Sequence, residues 1–168
     1  RMSAQDLTRF GFDFSEDQLA VRELMARFAE ERLAPGAADR DRGHDYPHEL
    51  IGELAALGGM AIKVAPEDDG PGLDAMGYVL AVEAITRGDA SVGVVMVASN
   101  LSASILAAHA TEDQRARFLR PLARGEKGAA SFGLTEPGAG SDAAGIRTKA
   151  VRGGDGWVID GAKQWITS

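Results

Sequence analysis

The sequence contains no cysteine. Disulfides, zinc–thiolate centres, iron–sulfur clusters and a cysteine nucleophile are therefore excluded, and the absence fits a reducing compartment. Histidine is scarce. His44, His48 and His109 share no metal-like spacing, so each reads as structural or solvated and no metal site is expected. Positive charge is in deficit: 18 Lys and Arg stand against 25 Asp and Glu, a net charge of −7. That argues against broad nucleic-acid binding, which needs a basic field. The apolar run of a secretory signal is absent behind Arg1-Met2-Ser3. There is no internal repeat and no low-complexity tract.

One stretch lacks charge altogether. From Ala90 to Thr111 there is no Asp, Glu, Lys or Arg, about the length of a membrane-spanning helix. Ser91, Ser99, Asn100, Ser102, Ser104 and His109 interrupt it, and many of the remaining residues are Ala or Gly. The expectation is a helix buried on most sides of a soluble bundle, with no membrane span.

What is present is an ordinary globular balance, 45% hydrophobic and 26% charged over 168 residues. The first two-thirds reads helical. Ser15-Glu16-Asp17-Gln18 is a capping box, followed by Leu19, Val21, Leu24, Met25, Phe28 and Ala29 at helical spacing, and Pro35-Gly36 ends the run. Residues 37–46 read as charged linker. A second helix opens with Pro47 in its first turn and carries Leu50, Ile51, Leu54 and Leu57 to a stop at Gly58-Gly59. Pro66 to Gly72 is a loop by composition. Its acidic run Glu67-Asp68-Asp69 sits among turn formers and does not read as a metal site. A third helix follows Asp74 with Tyr78, Val79, Val82 and Ile85 as its apolar set, and the charge-free helix comes next. Thr111 to Gln114 is another capping box, opening a short helix with Phe118, Leu119 and Leu122 that ends at Arg124-Gly125.

Past residue 125 the pattern changes from helix to strand. Residues 129–135 and 162–167 read as strands, as do the shorter runs 148–152 and 157–160 around Gly153-Gly154-Asp155-Gly156. Asp160-Gly161 is a hairpin-type signal. The chain is expected to be a helical domain over 1–125 and the start of an incomplete β domain over 126–168. A few strands with an apolar face need further partners, so the chain reads as a fragment or as one part of a larger protein.

Two motifs stand out. Glu136-Pro137-Gly138-Ala139-Gly140-Ser141-Asp142 follows the strand Ser131–Thr135 and cannot continue it, because Pro removes a donor and Gly permits positive φ. It suits a surface turn, or a nest of N–H groups with the Ser141 hydroxyl for an anion such as a pyrophosphate. It is neither a Walker loop nor a Rossmann turn. Trp165-Ile166-Thr167 suits a plain strand, or an aromatic wall and hydroxyl against a planar ring such as a flavin. No local signature of Ser–His–Asp catalysis is present.

Together, SFGLTEPGAGSD, the following AAGIRTKA and then GDGWVIDGAKQWITS closely resemble the acyl-CoA dehydrogenase family. The resemblance extends over the whole chain, through the PEDDGPGLD loop and the RGDASVGVV helix start. It implies FAD held between a middle β domain and a C-terminal helical domain, usually in a homotetramer in the bacterial cytoplasm or the mitochondrial matrix. The implied reaction is oxidation of an acyl-CoA thioester to the trans-2-enoyl-CoA, with electrons passed to an electron-transferring flavoprotein. By motif, Phe132, Leu134 and Thr135 correspond to flavin-ring contacts, and Gly140 and Ser141 to the pyrophosphate end, Ser141 also reaching CoA. Trp165 corresponds to the aromatic wall, with Ile166 beside it, and Thr167 to the partner near flavin N5. Ser168 stands where the family often has Asn. Val94, Val97 and Leu101 are expected to line an acyl channel. The small residues Gly93, Ala98, Ser102 and Ala103 fit either close helix packing or a roomy channel. Glu136 is not the family's base and suits an ion pair or a docking role. The family's catalytic Glu belongs to the C-terminal domain, so no catalytic residue is expected within these 168. Two alternatives stand beside this reading: a same-fold flavin oxidase or monooxygenase, and a non-catalytic helical module that packs on another chain.

Overall fold

The computed structural model describes residues 13–167. Ser168 and the first twelve residues lie outside the described residues. The chain forms seven α-helices among the described residues: α1 Glu16–Phe28, α2 Ala37–Gly43, α3 His48–Ala56, α4 Ala75–Gly88, α5 Ala90–His109, α6 Glu112–Gln114 and α7 Arg120–Ala123. A single antiparallel hairpin follows, with β1 Lys149–Gly153 paired to β2 Gly156–Asp160. The helical part followed by the first strands of a β part is the expected architecture.

Both capping boxes form. The Ser15 hydroxyl accepts from the Gln18 N–H at 3.2 Å while Gln18 Oε1 accepts from the Ser15 N–H at 3.0 Å, and Thr111 and Gln114 repeat the exchange. Asp74 caps α4 and Asp89 caps α5. Helix α1 packs on α4, and α4 packs on α5. The core between them holds Met25, Leu33, Leu54, Met60, Ile62, Ile85, Met96 and Leu119. Asn100, buried on α5, accepts from the Ile62 N–H at 2.8 Å and donates to the Gly59 carbonyl at 2.8 Å. One side chain thereby satisfies the backbone of an irregular buried segment that has no helix to do so.

Several expectations fail for physical reasons. Pro35-Gly36 does not end the first helical run. The path continues through a π turn, Ala29–Leu33, and a 3-10 turn, Ala34–Gly36, into α2. Residues 37–43 are therefore helix, not linker. Arg40 of that helix ties it to the fold, donating to Asp89 at 2.8 and 3.0 Å and to the Leu33 carbonyl. Pro47 is the N-cap of α3 instead of its first-turn residue, and Leu57 falls past the helix end and is exposed. On α4 the buried face is Leu80, Ala81, Ala84 and Ile85, while Val79 is exposed. Of the expected apolar set, Ile85 is buried and Tyr78 and Val82 are half-buried against the core; the buried alanines escape an apolar pattern because Ala counts little in it. Phe118 likewise points outward while Leu119 and Leu122 are buried.

Helix α5 has the expected bounds but is not buried on most sides. Val92, Val95, Met96, Ser99, Asn100 and Ala103 face the core; Val94, Val97 and Leu101 are exposed. By length and composition α5 is apolar enough to cross a membrane, and 44% of its apolar window is buried inside the fold. A Cβ on Gly93 would approach the Thr86 side chain to 2.2 Å. This glycine serves close packing of α4 on α5.

Residues 129–135 and 162–167 are not strands. Neither run joins a sheet among the described residues, and the backbone bond between them is Gln164 N–H to the Thr135 carbonyl at 3.0 Å. Strand propensity without a paired neighbour leaves an extended segment. Asp160-Gly161 also turns no hairpin. Gly161 sits at φ +155°, where a Cβ would approach Thr148 Oγ1 to 2.3 Å. The glycine lets the chain leave β2 hard against Thr148. The hairpin that does form turns at Gly154-Asp155, with Gly154 at φ +57°, as a two-residue turn requires.

Candidate functional site

The acidic loop settles into structure first. Asp68 is buried and takes ion pairs from Arg115 and Arg120, and Asp69 pairs with Arg124 at 2.7 Å. These carboxylates staple the 66–72 loop to the helical turn 112–124.

The second feature is the loop 136–142. Glu136 and Ala139 exchange backbone hydrogen bonds at 3.0 and 3.1 Å, closing a tight turn over Pro137-Gly138. A Cβ at Gly138 or Gly140 would meet nothing within 4 Å. Packing therefore does not demand these glycines; they leave bare backbone facing open space. Among the described residues, the Gly138, Gly140 and Ser141 N–H groups donate no hydrogen bond, and Ser141 is exposed. Such a set of free donors beside a hydroxyl suits an anion.

Glu136 is the loop's anchor. It is only 6% exposed. Its Oε2 accepts from the Arg147 N–H at 2.7 Å; its Oε1 accepts from the Thr148 N–H at 2.9 Å and from Lys163 Nζ at 2.8 Å. The Lys163 ammonium, the largest influence, and the surrounding N–H donors hold this carboxyl at a pKa of about 2. An acid that stays ionised and spends its lone pairs on three donors makes a poor proton acceptor near neutrality. Lys163 also donates to the Leu134 carbonyl at 2.8 Å. With the Gln164–Thr135 bond, it lays residues 134–136 beside 163–164. An ion pair is among the roles expected for Glu136, but its partner is not identified in the sequence, because nothing local to Glu136 points to Lys163 twenty-seven residues away.

The two motifs thus meet, and their apolar residues face outward. Phe132, Leu134 and Ile166 are partly exposed, and Trp165 is 85% exposed at φ +59°. A tryptophan in the left-handed region is rare and strained, and such strain concentrates at functional sites. Thr135 and Thr167 are half-buried. The expected channel residues are not part of this cluster. Val94, Val97 and Leu101 form a stripe along α5, exposed at 54%, 40% and 46%. Ser99, on the same helix, ties α5 to the segment that leads into the cluster: its Oγ accepts from the Ala130 N–H at 3.0 Å. The cleft beside Phe132, about 410 Å³, is lined instead by Ser102, Ile105, Leu106 and Phe118 among others. Of these, Ser102 is among the small residues expected to fit close packing or a roomy channel and Phe118 is part of an expected apolar helix face; Ile105 and Leu106 are not singled out in the sequence.

Comparison with known proteins follows the same division of the chain. The family model described as the acyl-CoA dehydrogenase N-terminal domain matches residues 15–126, and the one described as the middle domain matches residues 131–168. The short-chain-specific acyl-CoA dehydrogenase of Clostridium acetobutylicum is 39% identical over 94% of this chain and 41% of its own length. The butyryl-CoA dehydrogenase structure from Megasphaera elsdenii is 37% identical with a TM-score of 0.84, over 92% of this chain and 42% of that one. A Mycobacterium smegmatis glutaryl-CoA dehydrogenase in complex with FADH2 is 28% identical with a TM-score of 0.86, over 98% and 42%. The chain spans about two-fifths of the length of the curated relatives it matches.

Proposed function

We propose, for a chain that belongs to the acyl-CoA dehydrogenase family, that the complete protein is an FAD-dependent dehydrogenase of a short acyl-CoA. The product is the trans-2-enoyl-CoA, and the electrons pass to an electron-transferring flavoprotein. The observation that carries this reading is the junction of the two motifs through Lys163, Glu136, Gln164 and Thr135. It brings the bare loop and the exposed Trp165 onto neighbouring segments, as a ligand with a phosphate end and a planar ring requires.

The residues present fit FAD. Gly140 and Ser141, with the free N–H groups of the loop, would take the pyrophosphate, and Ser141 would also reach CoA. Phe132, Leu134, Trp165 and Ile166 would flank the ring, and the hydroxyls of Thr135 and Thr167 would meet its polar edge; Ser168 completes the set by motif. FAD, when bound, supplies the acceptor for the β-hydride. The α-proton goes to a carboxylate other than Glu136, in the part of the relatives' length that this chain does not span. Val94, Val97 and Leu101, an exposed apolar stripe on α5, are offered as substrate contacts. A homotetramer in the bacterial cytoplasm or the mitochondrial matrix completes the proposal.

The test is direct. The purified complete protein should carry a flavin spectrum that butyryl-CoA bleaches more readily than octanoyl- or palmitoyl-CoA. Reoxidation should need an electron-transferring flavoprotein. Rapid oxygen consumption instead would move the protein to the oxidase reading, and a preparation unable to take up FAD would end the flavoprotein reading.

A further inference from the structure

Glu136 and Lys163 lie in the two segments offered above for the flavin ring, yet their polar atoms are turned to each other and to backbone. Lys163 Nζ sits 2.8 Å from both the Glu136 carboxylate and the Leu134 carbonyl. The carboxylate in turn gathers the N–H groups of Arg147 and Thr148, just ahead of β1, at 2.7 and 2.9 Å. Three stretches of chain, 134–136, 147–148 and 163–164, therefore converge on one buried carboxylate. Two residues beyond Lys163 is Trp165, exposed and held at φ +59°. An exposed side chain has no packing of its own to keep its backbone in that region, which costs about 1–2 kcal/mol for an L-residue. The neighbouring anchors at Lys163 and Gln164 are what fix it.

We propose that Glu136 and Lys163 form a clasp that sets Trp165 against the Leu134–Thr135 segment, making both charged residues positioning residues for the cofactor. The inference rests on the FAD reading above and adds two residues to which the family motif assigns no contact. The ammonium supplies the link because it can serve two acceptors at once. A carbonyl and a carboxylate on one segment, two residues apart, are held to the same point of the second segment. Without that charge, the Leu134 carbonyl loses its donor and Glu136 keeps only backbone partners. The loop then stays anchored to 147–148 while the Trp165 segment is released.

The experiment uses the complete protein and FAD itself as the probe. Wild type, K163M, E136Q, K163R and K149M are stripped of flavin and titrated with FAD, following flavin fluorescence and the visible absorption band. Lys149 is an exposed lysine on β1 outside the clasp and serves as the control. K163M and E136Q should weaken FAD binding by about tenfold or more, the scale of a charged hydrogen bond lost from a buried site. Their bound flavin should be brighter, because Trp165 no longer lies firmly against it. K163R should recover affinity to within about threefold, and K149M should match wild type. Folded K163M with wild-type affinity and an unaltered flavin spectrum would overturn the clasp. If K163M does not fold, E136Q decides in the same way, since it keeps the shape while removing the charge and one of the two acceptor oxygens. A wild-type protein that takes up no FAD would refute the flavoprotein reading itself, a result separable from any difference among the variants.

Discussion

Residues 13–126 and residues 131–167 are held together in opposite ways. In the helical part, large apolar side chains such as Leu33, Leu54, Met60, Ile85 and Met96 are fully buried, and Asn100 satisfies the backbone of the one irregular stretch among them. In the second part every residue of β1 and β2 is exposed, with Trp157 and Ile159 outermost. Buried order there comes from Glu136 and Ala139. The first part is organised by apolar burial, which scales with area and tolerates a loose pattern. The second is organised by directional bonds to one carboxylate. That is a cheaper way to hold a shape when apolar surface must stay free for a ligand or a neighbouring domain.

The sharpest way to break the contrast is a cavity in the helical core. Leu54→Ala should lower stability by about 2–5 kcal/mol, the usual range for a buried leucine, measured by urea unfolding followed by helical circular dichroism. A loss below about 1 kcal/mol would mean that the helical part is not the self-sufficient unit described above. Asn100→Ala comes next. It strands the Ile62 N–H and the Gly59 carbonyl, both buried, and should cost about 2–3 kcal/mol. Asn100→Asp, which keeps one acceptor, should leave the Ile62 bond but not the Gly59 bond. Hydrogen exchange at Ile62 separates the two variants.

The same contrast explains what the sequence made legible. Helix positions were legible where caps and breakers are local: Ser15, Asp74 and Thr111 start helices through bonds made within three residues. The family motifs were legible because they form contiguous runs, and they are what single out 132–141 and 165–167 as candidate segments. Features that depend on distant partners were not. The helix at 37–43 is tied down by Arg40 reaching Asp89, forty-nine residues away. The buried face of α4 includes Ala81 and Ala84, whose burial follows only once neighbouring helices pack on it. Lys163 matters only because the chain returns it to Glu136. The predicted strands at 129–135 and 162–167 failed for the converse reason: strand propensity is a statement about a neighbour, and the two runs meet through side-chain bonds and one backbone bond instead of a ladder.

Acid tests the second part selectively. Glu136 has a folded pKa of about 2 against an ordinary value of 4.5. A depressed carboxyl contributes its full stabilisation above the ordinary pKa and loses it as the pH falls through the folded one. Between about pH 4.5 and pH 2 the contacts of 134–136 with 147–148 and 163 should therefore loosen. The loosening should appear as a change in Trp165 fluorescence and faster exchange of the Gln164 amide. E136Q should show no such transition, being already loosened at neutral pH. A transition that persists in E136Q would assign the acid sensitivity to other carboxylates, such as Glu53 or Glu126, whose pKa values are also lowered by their arginine partners.

The smallest expected effect sharpens the comparison from the other side. Ile159 is 73% exposed on β2, paired with Ala150 across the hairpin. In the 168-residue chain, Ile159→Ala removes apolar surface that is already in water. It should change stability by no more than about 0.5 kcal/mol, the range of surface substitutions away from caps and networks. Leu54→Ala and Ile159→Ala both truncate a branched aliphatic side chain, so side-chain chemistry is nearly constant between them and burial is the variable. If Ile159→Ala proved as costly as Leu54→Ala, the hairpin would have to pack against something in this chain, and the division into a part built by burial and a part built by directional bonds would fall. If it stays near zero here and becomes costly in the complete protein, the outer face of the hairpin is an interface that further chain covers, and its exposed tryptophan and isoleucine are contacts awaiting that cover.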